Sequence, residues 1–277
     1  MRRRPGVPRP PRDPRELRVA HYARLDRDRG RRVGVPEVVL GEGKTVDHLL
    51  GILRALADEG EGALVSRPTA AQRRAIRRGG AIGAPVEELA GGRVLRLAGP
   101  LGPAYRPGTA AIVTAGTSDV PLAEEAAAIL RSFGIRVAEA HDVGVAGLHR
   151  LLRALRRLER LGPEIYLVFA GREGALPTVV AGMVRAPVVG IPTSVGYGRG
   201  GRGEAALSAM LQSCAPIAVV NIDAAVPAAL FAAQRFAVRT TGRGGRNASA
   251  GSAPRRTRRR HRGRPSPNGA RSRTAST

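Results

Sequence analysis

The stretch TAAIVTAGTSDVPLAEEAAAILRSFG, residues 109–134, decides the fold of this chain. Its first eight residues form an apolar run that is rich in β-branched side chains and closed by glycine, which predicts a buried strand. Ser118 or Asp119 can cap a helix, Pro121 is tolerated in a first helical turn, and Gly134 ends the pattern. A strand followed directly by a helix is one βα unit.

The same strand-then-helix pattern recurs four more times. The helix after the second strand, 144–162, carries leucines at the i, i+3, i+4 spacing of a buried helical face. Because the strands are almost uniformly apolar, we expect helices to cover both faces of the sheet. Right-handed crossovers then give an α/β fold with a doubly wound parallel, flavodoxin-like sheet. The further strands are IRVAEA (135–140), EIYLVFAG (164–171), PVVGIPT (187–193) and PIAVVNI (216–222).

Composition divides the rest of the chain. Residues 19–98 alternate short strand-like and helix-like runs and predict a small α+β module, and the Pro- and Gly-rich 99–108 reads as a linker. The α/β domain then spans 109–236. The basic segments 1–18 and 237–277 lack the apolar residues that would offset the entropy of ordering, so we expect both to be disordered tails.

The net charge of +24 lies mostly in those two tails. Residues 237–277 hold 12 Arg and no acid, and 1–18 hold 7 Arg and 2 acids, which leaves 27 basic and 20 acidic residues in 19–236. Weak, salt-sensitive nucleic-acid binding by the C-terminal tail stays open as an alternative. With four Phe, four Tyr and no Trp, the chain has few side chains for stacking on bases.

The single cysteine excludes an internal disulfide and points away from a secreted, disulfide-rich scaffold. No apolar run reaches the about 18 residues of a membrane span, and no apolar region follows the basic N-terminus as in a secretory signal. We therefore expect a cytoplasmic protein without membrane contact.

Gly, Ser, Thr and Asp crowd the segments that follow the predicted strands. In a doubly wound sheet, ligands bind beyond the carboxyl ends of the strands, where small residues let backbone N–H groups approach phosphate. Turns after strands are often rich in Gly and Asp without any ligand, but several such loops on one sheet favour a phosphorylated ligand. The candidate nucleotide-binding residues here are Thr114, Gly116, Ser118, Asp119, Gly147, Gly174 and Ser194. Capping alone also accounts for Ser118 and Asp119.

Several longer motifs together resemble the LarB family, from about Tyr22 to Gln234. They are ARLDRDR (23–29), PEVVLGEGKT (36–45), GTSDVP (116–121), AHDVGVAGLHRL (140–151), EGALPTVVAGMV (173–184), PVVGIPTSVGYG (187–198) and ALSAMLQSCAPIAVVNID (206–223). The C-terminal half is also similar to aminoimidazole ribonucleotide carboxylases of purine synthesis. One departure is Arg172, which stands where the LarB family usually has Met.

The resemblance implies a pyridinium-3,5-biscarboxylic acid mononucleotide synthase of nickel-pincer cofactor biosynthesis. Such an enzyme carboxylates nicotinic acid adenine dinucleotide at C5 of the pyridinium ring, with CO2 or bicarbonate, and hydrolyses the phosphoanhydride to release AMP. The resemblance also implies a Mg2+ ion and a homo-oligomer, an octamer, with active sites between its subunits. An aminoimidazole ribonucleotide carboxylase or mutase is the alternative; it explains the sheet, but neither the N-terminal module nor Cys214.

Cys214 is the candidate nucleophile for this reaction. A pyridinium ring is electron-poor, so its C5 can attack CO2 only after a nucleophile has added to the ring, and a thiolate both adds and leaves readily. A lone cysteine is, however, often an inert buried residue. Cys214 also precedes its predicted strand, which puts it at the amino edge of the sheet, so a neighbouring chain would have to bring it to the ligand loops.

Five further residues are candidates for catalysis or binding. Asp142 and His149 flank the second turn, where one could relay the C5 proton or help attack the anhydride, although His149 could also lie on an exposed helix face. Glu173 is the candidate Mg2+ ligand. Arg24 and Asp26 could cover the nucleotide from the N-terminal module, or belong to a solvated charge run.

Overall fold

The computed structural model describes residue 13 and the ranges 15–78 and 82–238. None of the helices in these ranges is both long and apolar enough to cross a bilayer. The strands are β1 (Glu16–Val19), β2 (Ala23–Asp26), β3 (Val38–Leu40), β4 (Ala63–Ser66), β5 (Val86–Leu89), β6 (Val94–Leu97), β7 (Thr109–Thr114), β8 (Arg136–Ala140), β9 (Ile165–Ala170), β10 (Val188–Pro192) and β11 (Ile217–Val219). The α-helices are α1 (Arg29–Val33), α2 (Val46–Asp58), α3 (Ala70–Arg77), α4 (Val120–Ser132), α5 (Leu148–Glu159), α6 (Leu176–Ala181), α7 (Glu204–Leu211) and α8 (Ala225–Gln234).

The C-terminal sheet has five parallel strands in the order β11-β10-β9-β7-β8. Helices α4 and α8 pack on one face with Ile112, Leu167 and Ile191. Helices α5, α6 and α7 pack on the other face with Val113 and Val168. This is the doubly wound, flavodoxin-like arrangement, and it confirms the predicted fold class.

The N-terminal module is a four-stranded mixed sheet, β3-β4-β6-β5, with a separate β1–β2 hairpin. Leu49, Ile52 and Leu53 of α2 are buried against this sheet in a core of their own. Strands β1, β2 and β5 were not predicted, because their charged residues hide the alternation of a half-buried strand. Strand β1 begins at Glu16, so structure starts inside the segment 1–18 that was expected to be a tail.

The two modules pack against each other around α4. Leu64 and Val94 of the N-terminal sheet lie in the same buried cluster as Ala123 and Ala126 of α4. Between them, the segment 99–108 is anchored by Tyr105, whose hydroxyl donates to the Gly34 carbonyl at 3.1 Å. Its backbone also forms a bridge with Ala237, the first residue of the predicted C-terminal tail. Apart from Ala237 and Val238, that tail lies outside the described residues, as do 1–12 and residue 14.

Candidate functional site

A cavity of about 390 Å³ opens at the carboxyl edge of the sheet between β7 and β9. The chain crosses from β7 to β8 on one side and on to β9 on the other, so this is the switch point where doubly wound sheets bind ligands. We call it the switch-point cavity. Its lining includes Gly116, Ser118, Asp119, Arg150, Arg172 and Glu173. Of the predicted site residues, the chain thus brings Gly116, Ser118, Asp119 and Glu173 together.

Asp119 links the first ligand loop to the end of β10. Its side chain is buried, one carboxylate oxygen accepts from the Thr193 hydroxyl at 2.7 Å, and the other accepts from the Gly116 N–H at 2.9 Å. The Asp119 side chain therefore does not cap α4, and both of its carboxylate oxygens already accept hydrogen bonds within the chain. Burial raises the pKa of Asp119, and these hydrogen bonds oppose the rise.

The second loop holds an arginine at the cavity. The Thr114 hydroxyl accepts from the backbone N–H of Asp142 at 3.1 Å, which fixes the turn after β8. The Asp142 carboxylate then accepts from Nη1 of Arg150 at 2.7 Å, and it is Arg150 that lines the cavity. A Cβ on Gly147 would come within 2.6 Å of the Arg150 Nε, so glycine makes room for this side chain. The position of Arg150 at the cavity therefore depends on Thr114, Asp142 and Gly147.

His149 is exposed on the first turn of α5 and does not line the cavity. Its imidazole makes no hydrogen bond with the residues that the structure describes. Its predicted part in catalysis stays a prediction.

The third loop carries Arg172, Glu173 and Gly174. The Arg172 guanidinium lies 4.8 Å from the centre of the exposed Tyr197 ring. Gly174 has a φ of +63°, and a Cβ there would lie 2.7 Å from the Ala206 carbonyl oxygen, so this turn requires glycine. Gly174 therefore shapes the loop and leaves the cavity lining to its neighbours.

Glu173 is exposed at the cavity and offers one carboxylate. Among the described residues no three His, Cys, Asp or Glu side chains form a group that could hold a metal ion. A protein-only cage for Mg2+ is therefore not built into these parts of the chain. The ion does, however, commonly bind through one or two carboxylates and substrate phosphates.

A second and larger cleft, of about 630 Å³, lies between the N-terminal module and the same sheet edge. We call it the arginine cleft, because Arg67, Arg73 and Arg93 line it. The sheet contributes Ser194, whose backbone N–H donates to the Asp223 carboxylate at 2.8 Å. Ser118 and Val195 line both this cleft and the switch-point cavity, so the two are adjacent.

Arg24 and Asp26 lie on the β1–β2 hairpin and line neither cavity. Asp26 forms an ion pair with Arg32 at 2.5 Å, and the hydrogen bond from this guanidinium lowers the Asp26 pKa. Arg24 is exposed and lies 3.9 Å from Glu16. Within one chain, these two residues belong to the solvated charge run that the sequence offered as the alternative.

Cys214 lies on the turn between α7 and β11, exposed to solvent. Ser213 orders this turn: its hydroxyl accepts from Thr178 of α6 at 2.8 Å and from the Ala215 N–H at 3.1 Å. The turn is at the amino edge of the sheet, as predicted from its place before the strand. Five residues of β10 separate the two edges, about 16 Å at the rise of a strand. A single chain therefore does not bring the thiol to the switch-point cavity.

Sequence reasoning missed the residues that join distant segments. The Arg67 and Arg93 side chains contact Glu125 at sequence separations of 58 and 32 residues, and Thr193 contacts Asp119 at a separation of 74. The one local sign of these contacts in the sequence is Glu125, an acidic residue within the otherwise apolar face of α4.

Comparison with known proteins identifies both halves of the chain. A family model described as the LarB/PurE-like N-terminal domain matches residues 17–81, and one described as AIR carboxylase matches residues 109–244. An uncharacterized protein of Methanocaldococcus jannaschii is 39% identical over 217 residues, which cover 77% of this chain and 84% of that protein. The chain belongs to the LarB family.

The carboxylase half of this LarB-family chain has further relatives. An N5-carboxyaminoimidazole ribonucleotide mutase of Pyrococcus horikoshii is 31% identical over 127 residues, which cover 44% of this chain and 68% of the mutase. The crystal structure of PurE from Treponema denticola superposes with a TM-score of 0.36 at 28% identity, over 43% of this chain and 73% of that one. The domain matches and the mutase relatives identify an enzyme of the PurE/LarB type that acts on a nucleotide.

Proposed function

We propose that this LarB-family chain carboxylates nicotinic acid adenine dinucleotide at C5 of the pyridinium ring and hydrolyses its phosphoanhydride. The products are AMP and pyridinium-3,5-biscarboxylic acid mononucleotide, a precursor of the nickel-pincer cofactor. The observation that carries the proposal is the pairing of a LarB-type N-terminal domain with a carboxylase domain that has an open, arginine-lined cavity at its switch point.

The ring chemistry needs a transient nucleophile. The Cys214 thiolate forms a C–S bond to a ring carbon, and the displaced ring electrons neutralise the pyridinium nitrogen. The resulting enamine attacks CO2 through C5, a base takes the C5 proton, and the C–S bond breaks as the ring becomes aromatic again. The thiolate is regenerated, so the net change at the ring is a proton replaced by a carboxylate.

The switch-point cavity suits the nicotinate mononucleotide half. The Ser118 hydroxyl and the Gly116 loop can hold the phosphate at the start of α4, where helix N-termini favour anions. Arg150, oriented by Asp142, and Arg172 supply two cations for the ring carboxylate and the phosphate. Glu173 is the carboxylate that would hold a Mg2+ ion, and the ion would offset negative charge on the diphosphate.

The exposed position of Cys214 supports an active site that is shared between chains. Because the thiol is at the amino edge of its own sheet, it can reach a switch-point cavity only on a neighbouring copy. The hydroxyl contacts of Ser213 give the Cys-bearing turn a fixed shape to present across such an interface. We propose a homo-oligomer, an octamer, as the active assembly.

A direct assay tests the reaction. Purified chain is incubated with nicotinic acid adenine dinucleotide, 13C-bicarbonate and Mg2+, and the products are separated by liquid chromatography with mass detection. We expect AMP together with a mononucleotide that carries one labelled carboxylate. Folded, oligomeric protein that forms neither product would exclude the proposal, whereas AMP without labelled mononucleotide would exclude the carboxylation step.

The mutase relatives support one second candidate, conversion of N5-carboxyaminoimidazole ribonucleotide. They match less than half of this chain, within the carboxylase half. The same purified protein assayed with this ribonucleotide separates the two. A mutase turns it over without needing Cys214, so full activity of Cys214→Ala on this substrate would favour the second candidate.

A further inference from the structure

We propose that Arg172 is a specificity-determining residue, which selects a pyridinium ring that carries a carboxylate over the same ring with a carboxamide. The inference deepens the proposed function and rests on it in one respect, that the ring in the switch-point cavity is a nicotinate. Because Arg172 stands where the LarB family usually has Met, the selection would be a property of this chain. Its side chain is one of the two cations in the cavity lining.

Arg172 is the cation of this cavity that has no anionic partner. The other cation, Arg150, donates from Nη1 to the carboxylate and to the carbonyl oxygen of Asp142, each at 2.7 Å. Among the residues that the structure describes, no acidic side chain pairs with the Arg172 guanidinium, which instead contacts the Tyr197 ring. The five N–H donors of this guanidinium are therefore available to a ligand.

Tyr197 supports the guanidinium from its flat face. The guanidinium carbon lies 4.8 Å from the centre of the ring, and Tyr197 is 73% exposed. A guanidinium stacked on an aromatic ring keeps its N–H donors free, because they point outward in its own plane. That planar fork of donors matches the two oxygens of a carboxylate. Tyr197 is thus a positioning residue, which acts on the ring substituent through Arg172.

The backbone fixes the point from which the Arg172 side chain extends. Arg172 has a φ of +51°, in the left-handed region that residues other than glycine rarely adopt. The following loop packs closely on it: a Cβ on Gly200 would lie 3.2 Å from the Arg172 Cα, and one on Gly171 would overlap the Val195 carbonyl. Strained residues that the surrounding structure holds in place cluster at ligand sites, which supports a binding role for Arg172.

The phosphate of a bound mononucleotide has other partners in this cavity. Ser118 and the backbone of the Gly116 loop lie at the start of α4, after β7. Arg172 lies on the loop after β9, the neighbouring strand of the sheet, and so is placed for a different part of the ligand. A carboxamide offers the guanidinium one oxygen, an NH2 donor and no charge. The amide therefore loses one hydrogen bond and the ionic attraction that the carboxylate makes.

The binding of two mononucleotides, measured by isothermal titration calorimetry, tests this assignment without any turnover. Nicotinic acid mononucleotide and nicotinamide mononucleotide differ only in the ring substituent. We expect the wild type to bind the acid about 10-fold or more tightly than the amide, the effect of one charge-assisted hydrogen bond. Arg172→Met should lower this ratio about 10-fold by weakening the acid and leaving the amide unchanged. Arg172→Lys keeps the charge but loses the planar fork, so its ratio should be intermediate.

Arg199→Met is the matched control for the loss of charge. Arg199 is exposed two residues beyond Tyr197 and does not line the cavity, so the ratio of the two affinities should stay unchanged. Tyr197→Leu should lower the ratio several-fold, whereas Tyr197→Phe retains an aromatic face and should keep the wild-type ratio. Equal weakening of both mononucleotides in Tyr197→Leu would show that Tyr197 is structural only.

Four results would overturn the selection by Arg172. They are no binding of the acid by the wild type, equal wild-type affinities for acid and amide, an unchanged ratio in Arg172→Met, and equal weakening of both mononucleotides in that variant. The last result would mean that Arg172 contacts the phosphate. If circular dichroism shows that Arg172→Met does not fold, Arg172→Lys decides by the same ratio.

The ratio of affinities does not depend on carboxylation, so the two proposals can fail separately. A failed carboxylation assay with a ratio that depends on Arg172 would exclude the proposed function and leave the selection standing. Successful carboxylation with a ratio that does not depend on Arg172 would exclude the selection alone.

Discussion

The Asp119–Thr193 contact should behave as a strongly coupled pair, because it joins the first ligand loop to β10 inside the protein. The two groups lie 2.7 Å apart, with Asp119 4% exposed and Thr193 fully buried. Thr193→Val removes a hydrogen bond to a charged acceptor, which costs about 1.5–3 kcal/mol of unfolding free energy. Asp119→Ala leaves the Thr193 hydroxyl and the Gly116 N–H without this partner, at about 1–3 kcal/mol for each group that stays unsatisfied.

The double variant should cost less than the sum of the two single variants. Once Asp119 is gone, removing the Thr193 hydroxyl also removes an unsatisfied group, so we expect a coupling energy of about 1–2 kcal/mol. Urea unfolding of the four proteins, followed by circular dichroism, measures it. If the unfolding free energy lost in the double variant equals the sum of the two single losses to within about 0.3 kcal/mol, the contact is refuted.

The cost of Thr193→Val should also depend on pH. Burial already raises the pKa of Asp119, and the Thr193 hydrogen bond is the largest effect opposing that rise. Without it the folded-state pKa moves further up, so the ionised form is penalised more. The variant should therefore lose more stability at pH 8 than at pH 5, and an equal loss at both would contradict this account of the pKa.

Three further predictions follow from single contacts. The hydrogen bond from Arg106 lowers the pKa of Glu164, so Glu164→Gln should cost about 1 kcal/mol at pH 7 and progressively less as the pH falls through the lowered folded-state pKa, measured by urea unfolding. A side chain on Gly171 would overlap the Val195 carbonyl, so Gly171→Ala should cost about 1–3 kcal/mol, while Gly201→Ala, with open space around it, should cost little; equal costs would contradict the crowding. Cys214→Ala should abolish carboxylation. Because the thiol is exposed, the free energy of unfolding should stay unchanged, and normal turnover would show that another group is the nucleophile.

The α/β domain could be predicted from the sequence because its signals are local. Strands β7, β9 and β10 are apolar runs buried along their whole length, and each is followed by a helix within a few residues. The hairpin β1–β2 and strand β5 carry charged residues in place of an apolar run, and their pairing is set by partners that the local pattern does not reveal.

The candidate site was only partly predictable, for the same reason. Gly116 and Ser118 line the switch-point cavity as the loop pattern indicated, because a strand's carboxyl end fixes where its loop must lie. Asp119 looks like a helix cap in sequence, yet its partner Thr193 is 74 residues away. Arg67 and Arg93 come from the other module and are held by Glu125, a contact that depends on how the two sheets pack.

Subunit complementation tests the central claim most directly, that one chain's thiol serves a neighbouring chain's cavity. Cys214→Ala removes the thiol, and Ser118→Tyr, with a bulky side chain where both cavities meet, blocks the ligand. Each variant alone should be inactive, but subunits mixed in equal amounts and reassembled should regain about a quarter of wild-type carboxylation, because random pairing completes that share of two-chain sites. Mixed particles that stay inactive, although mass spectrometry shows both variants in one assembly, would contradict the claim.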